Sequence, residues 1–245
     1  MYINHLFLLS LLAQFIIAER GNHIDIDDEP RNESLFDLGQ ALWVFDFAAA
    51  AYAEDPTLCL RPRNASMVYR IAVPCDYLRD ECWSYVATKA DWIIVAFRGT
   101  RTKIQLITEL IETMSEPKKK LRSGGSVQHY FYVALKSIWK ELHAVIRKLR
   151  KVAHLPACAI RLISHSCVSL LNHSPYHHGT EVWFPSNMTR NALYRVCNGL
   201  PLFEDDTCSN GYYLHYGIKD HMYYFEHEVR IYGSNGCVDE PVERR

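Results

Sequence analysis

Ser166 is the residue in this chain best placed for nucleophilic chemistry. It stands in the run ACAIRLISHSCVSLL at residues 157–171, where Ala159, Ile160, Leu162 and Ile163 form a short apolar segment. Ser164, His165 and Ser166 interrupt that segment before Val168 to Leu171 resume it. A buried strand that delivers a serine into a tight polar turn holds the hydroxyl at the top of a sheet, which is the layout of a nucleophile elbow. Such a turn takes glycine two places either side of the serine because the backbone there is strained and closely approached. Ser164 and Val168 occupy those places here. A core strand running into a surface turn has the same pattern, because periodicity cannot identify a nucleophile.

A serine hydroxyl needs a base, and the base needs an orienting acid. His221, in IKDHMYYF, fits a serine, acid, histidine order along the chain. His165 reads as a turn histidine. His177 and His178 are adjacent, so on a strand they point to opposite faces and do not make a metal pair; no metal site is expected. Between Ser166 and His221 the only carboxylates are Glu181, Glu204, Asp205, Asp206 and Asp220. Asp220 adjoins the histidine in an awkward geometry, and residues 204–206 lie between Cys197 and Cys208, where a loop is the natural reading.

The elements that position these groups follow from patterning. Residues 34–53 repeat apolar side chains at helical spacing (Leu35, Leu38, Leu42, Phe45, Ala49, Tyr52) and predict an amphipathic helix. Residues 67–73 and 83–88 are β-branched and aromatic, predicting a hairpin whose loop Cys75 and Cys82 can staple. WIIVAF at 92–97 is an unbroken apolar run, as in a strand covered on both faces. Phe131, Leu135, Ile138, Leu142, Val145 and Leu149 mark one stripe of a long helix, with Lys136, Lys140, Arg147 and Lys148 on its wet face. Strand, crossover helix, strand predicts that 92–97 and 159–163 run parallel in one sheet. Thr100 and Ser166 then share one edge, where open α/β sheets bind ligands. Beyond residue 171, short aromatic segments alternate with turns and suggest a sheet margin.

Composition narrows the classes. The chain has 245 residues, 49% hydrophobic and 22% charged, enough for one sizeable core. Lys plus Arg number 27 against 28 for Asp plus Glu, so overall charge gives no argument for a nucleic-acid partner. Within residues 101–122 the KKKLR tract reads as a solvated loop. Residues 6–18 (LFLLSLLAQFIIA) have the length of a signal-peptide core and fall short of a membrane span, so no stable transmembrane segment is expected. Eight cysteines and four sequons, at Asn32, Asn64, Asn172 and Asn187, fit the same secretory, extracellular destination. The expected organisation is a signal peptide at 1–18, a flexible polar lead-in at 19–34 and a single domain at 35–245.

With these pieces assembled, the sequence resembles the class 3 (fungal-type) lipases, above all secreted nematode members. The motifs that carry the resemblance are FRGT at 97–100, HHGTEVW at 177–183, CNGLPLFEDDTCSNG at 197–211 and DHMYYF at 220–225. The resemblance implies an α/β-hydrolase-type fold and a carboxylic ester (triacylglycerol) hydrolase acting on lipid at a lipid–water interface without a cofactor. Ser166 would be the nucleophile and His221 the base, with backbone amides of Thr100 and Cys167 forming the oxyanion hole. It also implies disulfides Cys59–Cys237, Cys75–Cys82 and Cys197–Cys208, leaving Cys158 and Cys167 over. Two departures accompany it. The flanking glycines of the elbow are replaced, and the helix and strand that lead to the family's triad aspartate are missing after about residue 170. The expected fold is therefore truncated after the nucleophile strand and the expected activity impaired or absent. The alternatives are a non-catalytic lipid-binding pseudoenzyme and the product of an incomplete gene model.

Overall fold

A computed structural model of the chain describes residues 15–19, 36–75, 81–90, 92–99, 117–120, 126–152, 159–163, 181–198, 205–211 and 222–239. In chain order the strands are β1 (Phe15–Glu19), β2 (Ser66–Pro74), β3 (Glu81–Lys89), β4 (Trp92–Phe97), β5 (Lys119–Lys120) and β6 (Ser126–Val127). β7 (Ala159–Ile163), β8 (Val182–Trp183), β9 (Arg195–Val196), β10 (Tyr223–Tyr224) and β11 (His227–Glu228) follow. The helices are α1 (Leu38–Ala50), α2 (Thr57–Leu60), α3 (His129–Val152) and α4 (Val229–Ser234). The main sheet has the order β2-β3-β4-β1-β7, and the short strands pair as three separate ladders, β5 with β6, β8 with β9 and β10 with β11.

The meander β2-β3-β4 has a closely packed centre in β3 and β4, and its sequence explains why. Trp83 to Ala87 of β3 and Ile93 to Ala96 of β4 are buried without a break, as befits strands covered on both faces. Their alternating side chains build two cores. Trp83, Tyr85, Ala87, Ile94 and Ala96 meet Val44, Phe47, Ala48 and Ala50 of α1 on one face. Val86, Ile93 and Val95 meet Leu142 of α3 on the other, with Val145, Ile146 and Leu149 packed alongside. The described body is thus helix, sheet, helix in layers.

Asp37 starts α1 by accepting the Gln40 N–H at 2.9 Å. The helix departs from the amphipathic expectation: from Val44 to Ala50 every residue is buried. Its second face, with Phe45 and Ala49, packs on Tyr224, Phe225, Val229 and Tyr232 near the C-terminus. A helix between a sheet and a second layer has no wet side. Gly233 makes that second contact possible, because a Cβ there would lie 1.9 Å from the Ala49 carbonyl oxygen. α3 also differs in detail. Its deepest stripe is Tyr130, Ala134, Ile138 and Leu142, while Leu135, expected inside, is 40% exposed. Spacing by four in an α-helix drifts slowly around its surface, and the stripe that faces β3 begins one residue earlier.

β4 and β7 each run antiparallel to β1 and therefore parallel to each other, in one sheet as expected. They are not neighbours, because β1 lies between them. Residues 15–18 of β1 are the end of the apolar run read as a leader core, and an apolar strand and a leader core share one composition.

Candidate active site

The strand ends that should carry the site are in register. Val95 of β4 pairs with Ile16, and Ile16 pairs with Leu162 of β7, so the C-terminal ends of both strands emerge at one edge of the sheet. Across two inter-strand spacings they are roughly 10 Å apart. Two amides that bind one oxyanion must both approach it to about 3 Å, closer than strands with a third strand between them bring their ends. At the end of β4 the chain is firmly held. The Arg98 N–H donates to the Trp83 carbonyl at 2.8 Å and its guanidinium to the Glu81 carbonyl at 3.0 Å. That guanidinium lies 5.9 Å from the Trp83 ring centroid, with Arg70 over the same ring at 4.7 Å. Gly99 is buried.

Thr100, Ser166, Cys167 and His221, together with His165, His177, His178, Glu204 and Asp220, lie outside the described residues. The segment that follows His221 is described and tightly anchored. Tyr224 and Phe225 are buried against Phe45, Val229 and Tyr232. Between β10 and β11 the two-residue turn places Phe225 and Glu226 at φ 49° and 76°, a left-handed conformation that non-glycine residues rarely adopt.

Of the expected acids, those described are committed to one loop. Asp205 accepts the Asn198 N–H at 2.8 Å, the Thr207 N–H at 2.9 Å and the Thr207 hydroxyl at 2.7 Å. These bonds, the Thr207 side chain foremost, hold its carboxyl below the usual carboxylate range. Glu181 accepts the Ser209 N–H at 3.3 Å, and its carbonyl takes the Cys197 N–H at 2.9 Å. Glu181, Cys197 and Cys208 converge, yet both sulfurs are used in a bridge to each other. Asp206 is exposed.

The sequence reading missed a polar cleft lined by Leu42, Phe45, Asp46, Arg63, Arg190, Phe225, His227 and Tyr232. Asp46 is buried, forms an ion pair with Arg63 and accepts the Tyr232 hydroxyl at 2.8 Å. Burial first, and then that bond to a carboxylate, pushes the Tyr232 hydroxyl well above its ordinary value. His227 stacks on Tyr232 at 4.2 Å between centroids and lies 3.1 Å from Asp239, which also meets Arg190 at 3.4 Å. A histidine–carboxylate pair is present, but the lining supplies no serine, cysteine or lysine to be activated. The cleft clamps α1, the Arg61–Arg63 turn and α4 together. No local signal could have found it, because its parts come from residues 42–63 and 190–239.

Three disulfides are formed, Cys59–Cys237, Cys75–Cys82 and Cys197–Cys208, the pairs that the resemblance implies. Asn64 and Asn187 are exposed. Among the described residues no helix is long and apolar enough to cross a membrane.

Comparison with known proteins returns the same family. Residues 94–167 match the family described as Lipase (class 3). Lipase ZK262.3 of Caenorhabditis elegans is 25% identical over 289 aligned positions, covering 81% of this chain and 82% of that protein. Uncharacterized protein C40H1.2 of Caenorhabditis elegans is 25% identical over 175 positions, covering 66% of this chain and 78% of that protein. No solved structure matches.

Proposed function

We propose that this chain, which is class 3 lipase-like, is a secreted relative of the triacylglycerol hydrolases with impaired ester-cleaving activity. One observation carries the reading: the family match at 94–167 begins in β4 and ends one residue past Ser166, so it covers both sides of the would-be reaction centre. In the proposed chemistry the Ser166 Oγ attacks an ester carbonyl as His221 takes its proton. The amides of Thr100 and Cys167 hold the oxyanion, the alcohol leaves with the proton from His221, and water then releases the acid.

Several features support impairment. Val168 and Ser164 replace the glycines of the elbow. The acids Glu181 and Asp205 are bound into the Cys197–Cys208 loop. Since 81% of 245 residues is about 198, 289 − 198 leaves about 91 aligned positions of the Caenorhabditis elegans lipase facing gaps in this chain, as an absent internal segment requires. The same gaps fit a non-catalytic lipid-binding relative or an incomplete gene product. Loss of the acid alone costs on the order of 10⁴ in turnover, while an oxyanion hole by itself retains ~10³ to 10⁴ over water.

Secretion is supported by the leader-like run, the sequons and three disulfides, since such bonds persist in oxidising compartments. Cleavage after Ala18 would remove all of β1 except Glu19. β4 and β7 could then pair directly as parallel neighbours, bringing the two turns to the spacing that an oxyanion hole takes.

The test uses the chain expressed in a secreting cell. Turnover on emulsified triglyceride and on a short activated ester is compared with Ser166→Ala and His221→Ala, beside fluorophosphonate labelling. Expected are glycosylated protein in the medium, triglyceride turnover at least about a hundredfold below that of an intact relative, and weak short-ester cleavage lost in Ser166→Ala. Ester cleavage unchanged in Ser166→Ala would remove the serine from the proposal. No labelling and no cleavage would leave the non-catalytic reading.

A further inference from the structure

The outward face of α3 is cationic and carries an exposed indole. At about 100° per residue, Trp139, Arg150, His143, Lys136, Arg147, Lys140 and Lys151 fall in one arc opposite Ile138, the centre of the buried stripe. All seven are exposed, Trp139 to 43%. Five of them are permanently charged, and the arc contains no carboxylate. The one acid of α3, Glu141, is turned aside, where its Oε2 accepts the Tyr69 hydroxyl of β2 at 2.5 Å. Among the described residues, the ion pairs involve Arg63, Arg98, Arg190, His227 and Arg230, and none of these five cations.

We infer that this face of α3 docks on an anionic phospholipid surface. The charge is complementary, since each Lys or Arg near an anionic leaflet adds a favourable increment of binding. Trp139 selects a lipid surface over a soluble polyanion. Its ring, stacked on His143 at 5.3 Å and next to the exposed Leu135, is the amphipathic kind of group that settles at headgroup level. The opposite, apolar side of α3 is already used against β3 and β4, so docking leaves the core intact. This inference is independent of catalysis, and its test reads binding alone.

The full chain is co-sedimented with vesicles of phosphatidylcholine and with vesicles containing roughly 30% phosphatidylserine, at about 0.1 M and about 0.5 M salt. Expected is partition onto the anionic vesicles at low salt only. K136Q/K140Q/R147Q should lower it about a hundredfold and the smaller variant R150Q/K151Q about thirtyfold, while W139A should weaken it severalfold. All three should keep the parent's far-UV circular dichroism and urea midpoint. Equal partition onto neutral vesicles would overturn the inference. So would undiminished binding of K136Q/K140Q/R147Q or of R150Q/K151Q, or retention on heparin without vesicle partition.

Discussion

Asp46 and Asp205 do comparable things at opposite scales. Each carboxylate is held by a hydroxyl and at least one further donor, but Asp46 reaches Tyr232 across 186 residues, whereas Asp205 reaches Thr207 across two. A disulfide accompanies each. Cys59–Cys237 spans 178 residues beside Asp46, and Cys197–Cys208 spans 11 around Asp205. The Asp46 junction is buried and joins α1, the Arg61–Arg63 turn and α4, while the bonds of Asp205 stay within residues 198–207 of a loop that Glu181 and Arg195 flank. A long closure removes more unfolded-chain freedom than a short one, so the Asp46 junction should contribute more to global stability than the Asp205 loop does.

Opening the long bridge should show this most strongly. By loop-closure entropy, Cys59→Ala/Cys237→Ala should cost about 5 kcal/mol and Cys197→Ala/Cys208→Ala about 3 kcal/mol, read from urea midpoints. Equal losses would erase the distinction. Next, Gly233→Ala should cost about 3 kcal/mol, because the new methyl meets the Ala49 carbonyl and forces α4 off α1. The aromatic cluster of Phe45 and Tyr232 would loosen with it, visible as altered near-UV circular dichroism.

Removing one bond of the clamp sharpens the contrast further. Tyr232→Phe should cost about 1 kcal/mol at neutral pH through the lost bond to Asp46. The folded state holds the Tyr232 proton more tightly than the unfolded state does, so the parent's stability is full below the ordinary tyrosine value near ~10 and falls as pH rises above it. Tyr232→Phe should therefore flatten the alkaline limb of a stability–pH curve. It should not abolish that limb, because the buried Tyr85 hydroxyl is raised in the same direction. The smallest effect belongs to Asp205→Ala. Its carboxyl is held low, so the contribution is present above the ordinary aspartate value and is lost as pH falls through the lower folded value. The global midpoint should stay put while limited proteolysis between Cys197 and Cys208 quickens.

The same contrast of scale decides what was legible in the sequence. WIIVAF at β4 and the long stripe of α3 announce themselves, since their burial is set by neighbours along the chain. α1 reads as one-sided because its second face is covered by Tyr224, Phe225 and Tyr232, which helical spacing cannot see. Residues 15–18, the end of the run read as a leader core, pair with β4 and β7 within β1, a pairing that an apolar run does not announce because it carries no mark of what will cover it. At the candidate site, β4 and β7, whose C-terminal ends emerge at one edge, follow from patterning, though not the strand between them. The disulfide pairs followed from the motifs' family resemblance. The His227–Asp239 pair and the clamp at Asp46 belong to parts of the chain that meet only after folding, and no spacing rule reaches them.

The Cys59–Cys237 bond also changes what a cut means. It fastens a residue before the first hairpin to one just past α4, so the described elements from β2 to α4 lie in a covalent ring, with β1 and α1 in the stretch that precedes it. A protease that severs the backbone once between those cysteines yields a nicked molecule, heavier by one water, without reductant and two fragments with it. The halves stay tethered through the core that α1, α2 and α4 share, so a single clip between residues 60 and 236, outside the Cys75–Cys82 and Cys197–Cys208 loops, linearises the ring without separating the protein into pieces.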